Sequence, residues 1–238
     1  MTPDRPDRPV TPDRLDRLDR LGLAALLDHT LLKPEATVDD VLVLCAEAAE
    51  LGVAAACVSP TMVPVVAAFE PRTFAVCTVV GFPSGAHVTG LKTAEASWAE
   101  AEGADEIDMV INLGLAKEHD WAALADDIAD VRAAVGGLLK VIVESAALTP
   151  SEVDEVARVA VDAGADFLKT STGFHPAGGA SLEAVAALAR VAMGAGRPVG
   201  VKASGGIRDT VTALAMVDAG ATRIGCSASR AILDGLSA

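Results

Sequence analysis

The stretch DAGADFLKTST (162–172) places the end of a helix, a glycine and an apolar β-strand in direct succession. The same arrangement recurs in AEGADEIDMVIN (101–112) and in DAGATRIGCS (218–227), and Gly52 holds the equivalent position before VAAACVS (53–59). A glycine directly after a helix is typical of the left-handed residue that ends it. Its recurrence indicates one α-to-β connection that the chain uses repeatedly.

Short apolar strands alternate with alanine-rich segments of helical length from Asp28 onward, and Thr37 and Thr149 begin two of these segments with helix-start signals. This alternation predicts a single (β/α)8 TIM barrel, for which about 250 residues is typical. An open doubly wound sheet is the alternative, but it would be expected to carry a GxGxxG turn after its first strand, and none occurs. The predicted strands are 28–33, 53–59, 74–80, 105–112, 139–145, 167–172, 198–204 and 222–227.

The N-terminal segment differs from the rest of the chain. Residues 1–14 repeat Pro, Asp and Arg and cannot bury enough apolar surface, so we predict a disordered tail there. Leu15, Leu18 and Leu21 then lead into an apolar run that predicts a short helix. Residues 15–238 are predicted to form the barrel domain.

Composition excludes several classes of function. Of the 238 residues 51% are hydrophobic and only 3% are aromatic, so a core of Ala, Val, Leu and Ile is expected. The net charge of −14 argues against binding to nucleic acid or to anionic membranes, although a small phosphorylated ligand stays compatible with it. No apolar run approaches the ~18–20 residues of a membrane span, and no secretory signal is recognisable, so a cytoplasmic protein is expected.

The cysteines and histidines show no metal-binding spacing, so no metal and no cofactor are expected. The cysteines are predicted to be reduced core residues, with Cys57 and Cys226 near strand ends as candidate pocket residues. These residues are Cys45, Cys57, Cys77, Cys226, His29, His87, His119 and His175.

Two lysines stand inside predicted strands, Lys169 in FLKTST and Lys202 in PVGVKAS. Alternate side chains of a strand face opposite sides, and the apolar neighbours assign both lysines, together with Asp108 of DEIDMVIN, to the barrel interior. Glu106 shares that face but lies deeper and is interpreted as structural. The alternative for the lysines is that they extend to the rim as solubilising charges, and for Asp108 that it forms a buried salt bridge.

Small residues follow the last strands. Gly173 comes after the sixth strand, Gly205 and Gly206 after the seventh, and Ser227 ends the eighth. Loops after strands seven and eight of a TIM barrel commonly bind phosphate through backbone N–H groups. We therefore predict a phosphate site, which Arg208 could reinforce.

Two ammonium groups held close together disfavour each other's charge, and a neutral lysine amine attacks carbonyl carbon. An iminium formed in this way is an electron sink for aldol addition and cleavage, with Asp108 as general acid and base. The residues alone do not distinguish which lysine is the nucleophile.

The chain resembles the deoxyribose-phosphate aldolase family from Asp28 to about Ser229. The segments that carry the resemblance are DHTLLKP (28–34), VVGFPSG (79–85), GADEIDMVIN (103–112), KTSTGF (169–174), VKASGGIRD (201–209) and GATRIGCSAS (220–229). It implies a class I aldolase, a lyase that reversibly cleaves 2-deoxy-D-ribose 5-phosphate to acetaldehyde and D-glyceraldehyde 3-phosphate in deoxynucleoside breakdown. It also implies a homodimer or homotetramer.

The resemblance assigns roles to individual residues. Lys169 forms the Schiff base, Lys202 lowers the pKa of its neighbour, and Asp108 handles proton transfer. The implied substrate-binding residues are Asp28, Thr30, Cys57 and Thr172, and the implied phosphate-binding residues are Gly173, Gly205, Gly206 and Ser227.

The chain departs from the family pattern at three places. Ala228 stands where a second serine is often found, Phe174 stands where some members have a lysine, and the chain contains no tyrosine. Proton transfer must then rely on Asp108, Lys202 and water. Alternatives to the deoxyribose enzyme are another Schiff-base phosphosugar aldolase or transaldolase, a phosphosugar isomerase, and a non-catalytic phosphosugar-binding barrel.

Overall fold

The computed structural model describes residues 18–236. Eight parallel strands close into a barrel, and each pairs with its neighbours in chain order. The strands are β1 Leu27–Leu31, β2 Ala55–Val58, β3 Ala75–Val80, β4 Glu106–Val110, β5 Leu138–Ile142, β6 Phe167–Lys169, β7 Gly200–Ser204 and β8 Arg223–Cys226. The helices are α1 Arg20–Ala24, α2 Val38–Leu51, α3 Val63–Ala67, α4 Thr89–Ala101, α5 Leu113–Lys117, α6 Trp121–Ala134, α7 Pro150–Asp162, α8 Leu182–Met193, α9 Thr210–Asp218 and α10 Ser229–Asp234.

The predicted TIM barrel is confirmed, and each predicted strand contains or overlaps an observed one. The predicted short helix before β1 is α1, whereas the predicted tail at 1–14 lies outside the described residues. The sixth strand is shorter than the predicted 167–172 and ends at Lys169. Backbone bonds to both neighbouring segments continue through Thr170, whereas the Thr172 N–H donates to the Glu144 carboxylate at 3.2 Å.

The glycines of the repeated helix-to-strand connection all have positive φ, as predicted. The values are +68° at Gly52, +109° at Gly103, +101° at Gly164 and +112° at Gly220. Space requires glycine as well, since a Cβ on Gly220 would lie 2.6 Å from the Ala189 Cβ. A side chain would therefore add backbone strain at all four joints, and also a close contact at Gly103, Gly164 and Gly220, whereas Gly52 has open space around it.

The helix starts follow from the capping residues. The Thr37 hydroxyl accepts from the Asp40 N–H, while the Asp40 carboxylate accepts from the Thr37 N–H, which forms a capping box at α2. Thr149 and Glu152 form the same arrangement at α7. Each box satisfies two N–H groups that the helix itself leaves unpaired, and so fixes where the strand-to-helix loop ends.

The strand periodicity separates an apolar outer layer from a polar barrel interior. Ile107, Met109 and Ile111 lie in the hydrophobic core between the barrel and the helices, as predicted. Glu106 and Asp108, on the alternate positions of β4, are buried with charged partners inside the barrel. No helix within residues 18–236 has the length and apolarity needed to cross a membrane.

Candidate active site

Lys169 and Lys202 are register partners on β6 and β7, so their side chains leave the sheet side by side on its inner face. Both ammonium groups donate to the same atom, Oδ2 of Asp108 on β4, each at 2.7 Å. Lys202 also forms an ion pair with Asp28 of β1. The structure therefore brings the three predicted catalytic residues together in one contact.

Two further cations complete the cluster. Lys140 of β5 is the register partner of Asp108 and lies 2.8 Å from its Oδ1, with Glu106 on its other side at 2.5 Å. Arg223 of β8 donates to Asp28 at 2.7 Å and lies 3.4 Å from Glu106. The site is thus a continuous ionic network across the barrel, and Glu106 has the structural place that its depth predicts.

Burial and charge act against each other in this network. Burial alone would raise the pKa of the Asp108 carboxyl, but Lys140, Lys169 and Lys202 outweigh it and hold the pKa well below its usual range. The pKa of Asp28 is lowered in the same way, chiefly by Lys202 against the effect of burial. Both carboxyl groups are therefore ionised acceptors at neutral pH.

The cations respond in the opposite direction. Burial opposes the charge on Lys140 and Lys202, but the neighbouring Asp108 carboxylate more than compensates and raises the pKa of both amines. Asp28 and Glu106 likewise raise the pKa of Arg223 despite its burial. These three groups are fixed positive charges.

The positive and negative charges of the network are not equal in number. Among residues 18–236 it contains four basic side chains and three carboxylates, all buried. Full protonation of the lysines would leave one uncompensated positive charge in a region of low dielectric constant, which is costly. With one proton fewer, the seven charged groups together would carry no net charge.

Of the seven charged residues in this network, Lys169 alone also lines the adjoining cavity of about 230 Å³. Gly173, Gly205, Gly206 and Ser227, predicted to bind phosphate, line the same cavity together with Thr30 and Thr172. Arg208 and Lys33 lie on its wall as well. A ligand in this space would meet Lys169 at one end and a glycine-rich rim at the other.

Asp28 and Cys57, predicted to bind substrate, lie deeper. Asp28 is fully buried against Lys202 and Arg223. Cys57 is fully buried beside its register partner Cys77. Asp28 belongs to the ionic network, and the Cys57 sulfur lies near Asp108. Neither residue lines the cavity.

The cysteines are free and buried, as predicted. Cys77 lies at the floor of the site, where its thiol donates to Asp108 Oδ1 at 3.3 Å and Lys140 contacts its sulfur at 3.3 Å. Burial raises the pKa of Cys77 well above its usual value, so the thiol is a neutral donor to the carboxylate. Cys57, Cys77 and Asp108 lie close enough to share an ion, but cationic side chains already occupy the Asp108 oxygens.

Thr172 is held by a buried carboxylate that follows β5. Its hydroxyl donates to Glu144 at 2.6 Å and accepts from the Phe174 N–H at 3.1 Å. Glu144 has a φ of +54°, unusual for a residue with a side chain, and is almost fully buried. Phe174 extends over the rim and contacts Phe82 edge to face, with ring centroids 5.1 Å apart.

Sequence reasoning missed Lys140, Arg223, Cys77 and Glu144. Lys140 carries the same signal as the two predicted lysines, because LKVI is an apolar strand interrupted by one basic residue. Arg223 stands at the first position of β8, where a basic residue is easily interpreted as exposed. Glu144 comes shortly after β5, and its residue type gives no indication that its backbone has a positive φ.

The sequence is similar to those of known aldolases. A profile of the DeoC/LacD family of aldolases matches residues 23–235. A protein of Mycolicibacterium paratuberculosis named deoxyribose-phosphate aldolase is 60% identical over 220 residues, covering 90% of this chain and 96% of that protein. One of Kocuria rhizophila with the same name is 55% identical over 216 residues, covering 90% and 96%.

The fold is also similar to that of a solved aldolase structure. A tetrameric deoxyribose phosphate aldolase from Aeropyrum pernix superposes with a TM-score of 0.83 and 33% identity, covering 95% of this chain and 97% of that one. Fold and sequence therefore point to the same group of enzymes.

Proposed function

The chain belongs to the DeoC/LacD family of aldolases, and from this premise we propose that it is a class I aldolase that reversibly cleaves 2-deoxy-D-ribose 5-phosphate to acetaldehyde and D-glyceraldehyde 3-phosphate. One observation carries the proposal beyond the family. Lys169 belongs to a buried network with one more basic group than carboxylates, and among the members of that network it is the residue that lines the cavity. The same lysine is therefore placed to meet a carbonyl group of a ligand in the cavity.

The first step is attack of the neutral Lys169 amine on the aldehyde carbon C1 of the open-chain sugar. The carbinolamine takes up a proton at its hydroxyl group and loses water to give an iminium ion, which carries the positive charge that a protonated lysine would carry. Lys202 and Asp108 remain beside it, so the network keeps the fixed charges that hold Lys169 in place.

Cleavage follows with balanced electrons. A base removes the proton of the 3-hydroxyl, the C2–C3 bond breaks, and its electron pair moves into the iminium to form an enamine. D-glyceraldehyde 3-phosphate leaves, the enamine takes a proton at C2, and water releases acetaldehyde from Lys169. Asp108, alone or through a water molecule, is the proposed proton acceptor and donor because its Oδ2 lies 2.7 Å from the Lys169 nitrogen.

The phosphate is proposed to bind at Gly173, Gly205, Gly206 and Ser227. Gly205 has a φ of +92°, and a Cβ there would lie 2.9 Å from the Gly179 Cα. Such close backbone packing leaves main-chain N–H groups as the natural donors to a phosphate at this rim. Thr30 and Thr172 would contact the sugar from the cavity wall, with Asp28 and Cys57 acting from beneath it.

The remaining expectations are part of the same proposal. We propose that residues 15–238 form one catalytic domain, that the protein is located in the cytoplasm, and that it assembles as a homodimer or homotetramer. The A. pernix relative is described as a tetramer.

The test is the intact mass after incubation with 2-deoxyribose 5-phosphate and borohydride, followed by peptide mapping. We expect a stable adduct on the Lys169 peptide that Lys169→Ala abolishes. An adduct on Lys202 would reverse the two lysine roles while keeping the reaction class. No adduct on folded protein that binds the substrate would refute the aldolase assignment and favour an isomerase or a non-catalytic binding protein.

A further inference from the structure

A chain of polar side chains lies directly behind the turn that follows β8. His29 of β1 is 4% exposed, and its Nδ1 lies 2.9 Å from the Ser229 hydroxyl. The Ser229 oxygen in turn lies 3.4 Å from the Cys226 sulfur. On the other side of the ring, His29 Nε2 lies 3.3 Å from the Glu47 carboxylate of α2.

The chemistry of each partner determines which atom donates and which accepts in these hydrogen bonds. A carboxylate only accepts, so Nε2–H of His29 donates to Glu47, and the neutral ring then accepts at Nδ1 from Ser229 O–H. Ser229 Oγ is left to accept from the Cys226 thiol. Burial lowers the pKa of His29, with Glu47 acting against that effect, which agrees with a neutral ring. Every member of the chain then has a partner.

A second side chain fastens the same turn to α2. Arg230 donates through Nε to Glu47 at 2.8 Å and through Nη2 to Glu50 at 2.7 Å. The turn Cys226–Arg230 is thus connected to β1 through Ser229 and to α2 through Arg230.

Ser227 lies between these anchors. It lines the substrate cavity with Gly205 and Gly206, and it also lines a second cavity behind the turn, which His29 and Glu47 border. Because space lies on both sides of Ser227, packing alone does not hold this residue. Its position depends on the hydrogen bonds at the two ends of the turn.

We propose that His29 and Ser229 are positioning residues for substrate phosphate: their buried hydrogen bond fixes the turn after β8 so that Ser227 and its backbone face the cavity. Neither side chain touches the substrate. This inference rests on the proposed aldolase function and on the phosphate end of its cavity.

Ser229→Ala tests the proposal with the loss of a single oxygen atom. We expect KM for 2-deoxyribose 5-phosphate to rise about three- to tenfold, as for loss of one buried hydrogen bond, with kcat within about twofold of wild type. The ratio kcat/KM for unphosphorylated 2-deoxyribose should not change. His29→Leu should reproduce this pattern, and His29→Asn, which keeps an acceptor near Nδ1, should restore much of the affinity.

Thr210→Val is the matched control. The Thr210 hydroxyl is also buried and donates to the Ile232 carbonyl at 2.6 Å, so it anchors the other end of α10. Its removal should lower the melting temperature about as much as Ser229→Ala and leave both KM values unchanged.

The affinity for inorganic phosphate, measured by calorimetry on the full chain, separates this inference from the proposed function. If wild type binds phosphate but neither cleaves the sugar nor forms a borohydride adduct, the proposed function fails, and a weaker Kd in Ser229→Ala still supports positioning. Equal losses on both sugars, an unchanged Kd for phosphate, or the same KM change in Thr210→Val would each overturn the positioning role. So would wild-type protein that does not bind phosphate.

Discussion

Replacing Lys140 by methionine should make the enzyme require a higher pH, because it removes one positive charge from the buried network. The ammonium groups of Lys140 and Lys169 lie 2.8 and 2.7 Å from the two oxygens of Asp108. At most about 8 Å therefore separates them, and at an effective dielectric constant of about 20 their repulsion is at least about 2 kcal/mol. That free energy corresponds to about 1.5 pH units.

The direction follows from the charge count. With Lys140 present, the network is neutral when Lys169 has lost its proton; without Lys140 it is neutral when Lys169 keeps it. The acid limb of the kcat/KM profile for 2-deoxyribose 5-phosphate should move to higher pH by about 1.5 units, which is roughly a 30-fold loss on that limb. Activity should recover at alkaline pH.

The assay is a pH–rate profile of wild type, Lys140→Met and Lys140→Arg, with Lys92→Met as control. Lys92 is equally buried and is paired with Asp127 at 2.7 Å, but it lies outside the barrel network. Each methionine variant breaks a buried ion pair and should cost about 3–5 kcal/mol of folding stability. Only Lys140→Met should shift the profile, and Lys140→Arg should keep the wild-type limb.

An unshifted profile in Lys140→Met, or the same shift in Lys92→Met, would refute the charge-count reasoning. If the methionine variant does not fold, Lys140→Gln removes the same charge and retains a donor for Asp108.

Three further predictions concern residues outside this network. Hydrogen bonding by Lys117 lowers the pKa of Glu152 from 4.5 to about 2, so Glu152→Gln should destabilise the protein above pH 4.5, and the difference in urea midpoint from wild type should shrink as the pH falls toward 2. Phe174→Lys places an ammonium group on the wall of the cavity and should lower KM for the phosphorylated sugar about threefold or more, whereas Phe174→Leu should not. Gly85→Ala puts a Cβ 1.8 Å from a backbone carbonyl oxygen and should cost about 1–3 kcal/mol in thermal unfolding, while Gly90→Ala, with open space around it, should be neutral or stabilising.

The fold was readable from the sequence because its strongest constraints are local. The glycine joints at Gly52, Gly103, Gly164 and Gly220 share a backbone requirement, a positive φ, that is set by the end of the preceding helix. The capping residues Thr37 and Thr149 do the same at helix starts. Strand ends were less well predicted, since β6 ends at Lys169 and Thr172 beyond it is bound by Glu144, 28 residues away in the sequence.

The catalytic candidates were predictable for a similar reason. Strand parity alone puts Lys169, Lys202 and Asp108 inside the barrel, and register partnership brings the lysines together. The turn behind the phosphate end was not predictable, because the contact between His29 and Ser229 joins residues 200 positions apart through side chains that carry no motif.

The alternation of side chains along a strand predicts which residues face the interior but not how their charges are paired. The pairing is what distinguishes the two lysines. Viewed as a pair, Lys169 and Lys202 are equivalent: both are buried, and both lie 2.7 Å from one carboxylate oxygen. Lys202 differs because it also pairs with Asp28, so a second carboxylate stabilises its proton. Lys169 has Asp108 as its carboxylate partner in the network and faces the cavity. We therefore propose that the number of carboxylates each amine contacts selects the nucleophile, which would make Asp28 as important to that choice as either lysine.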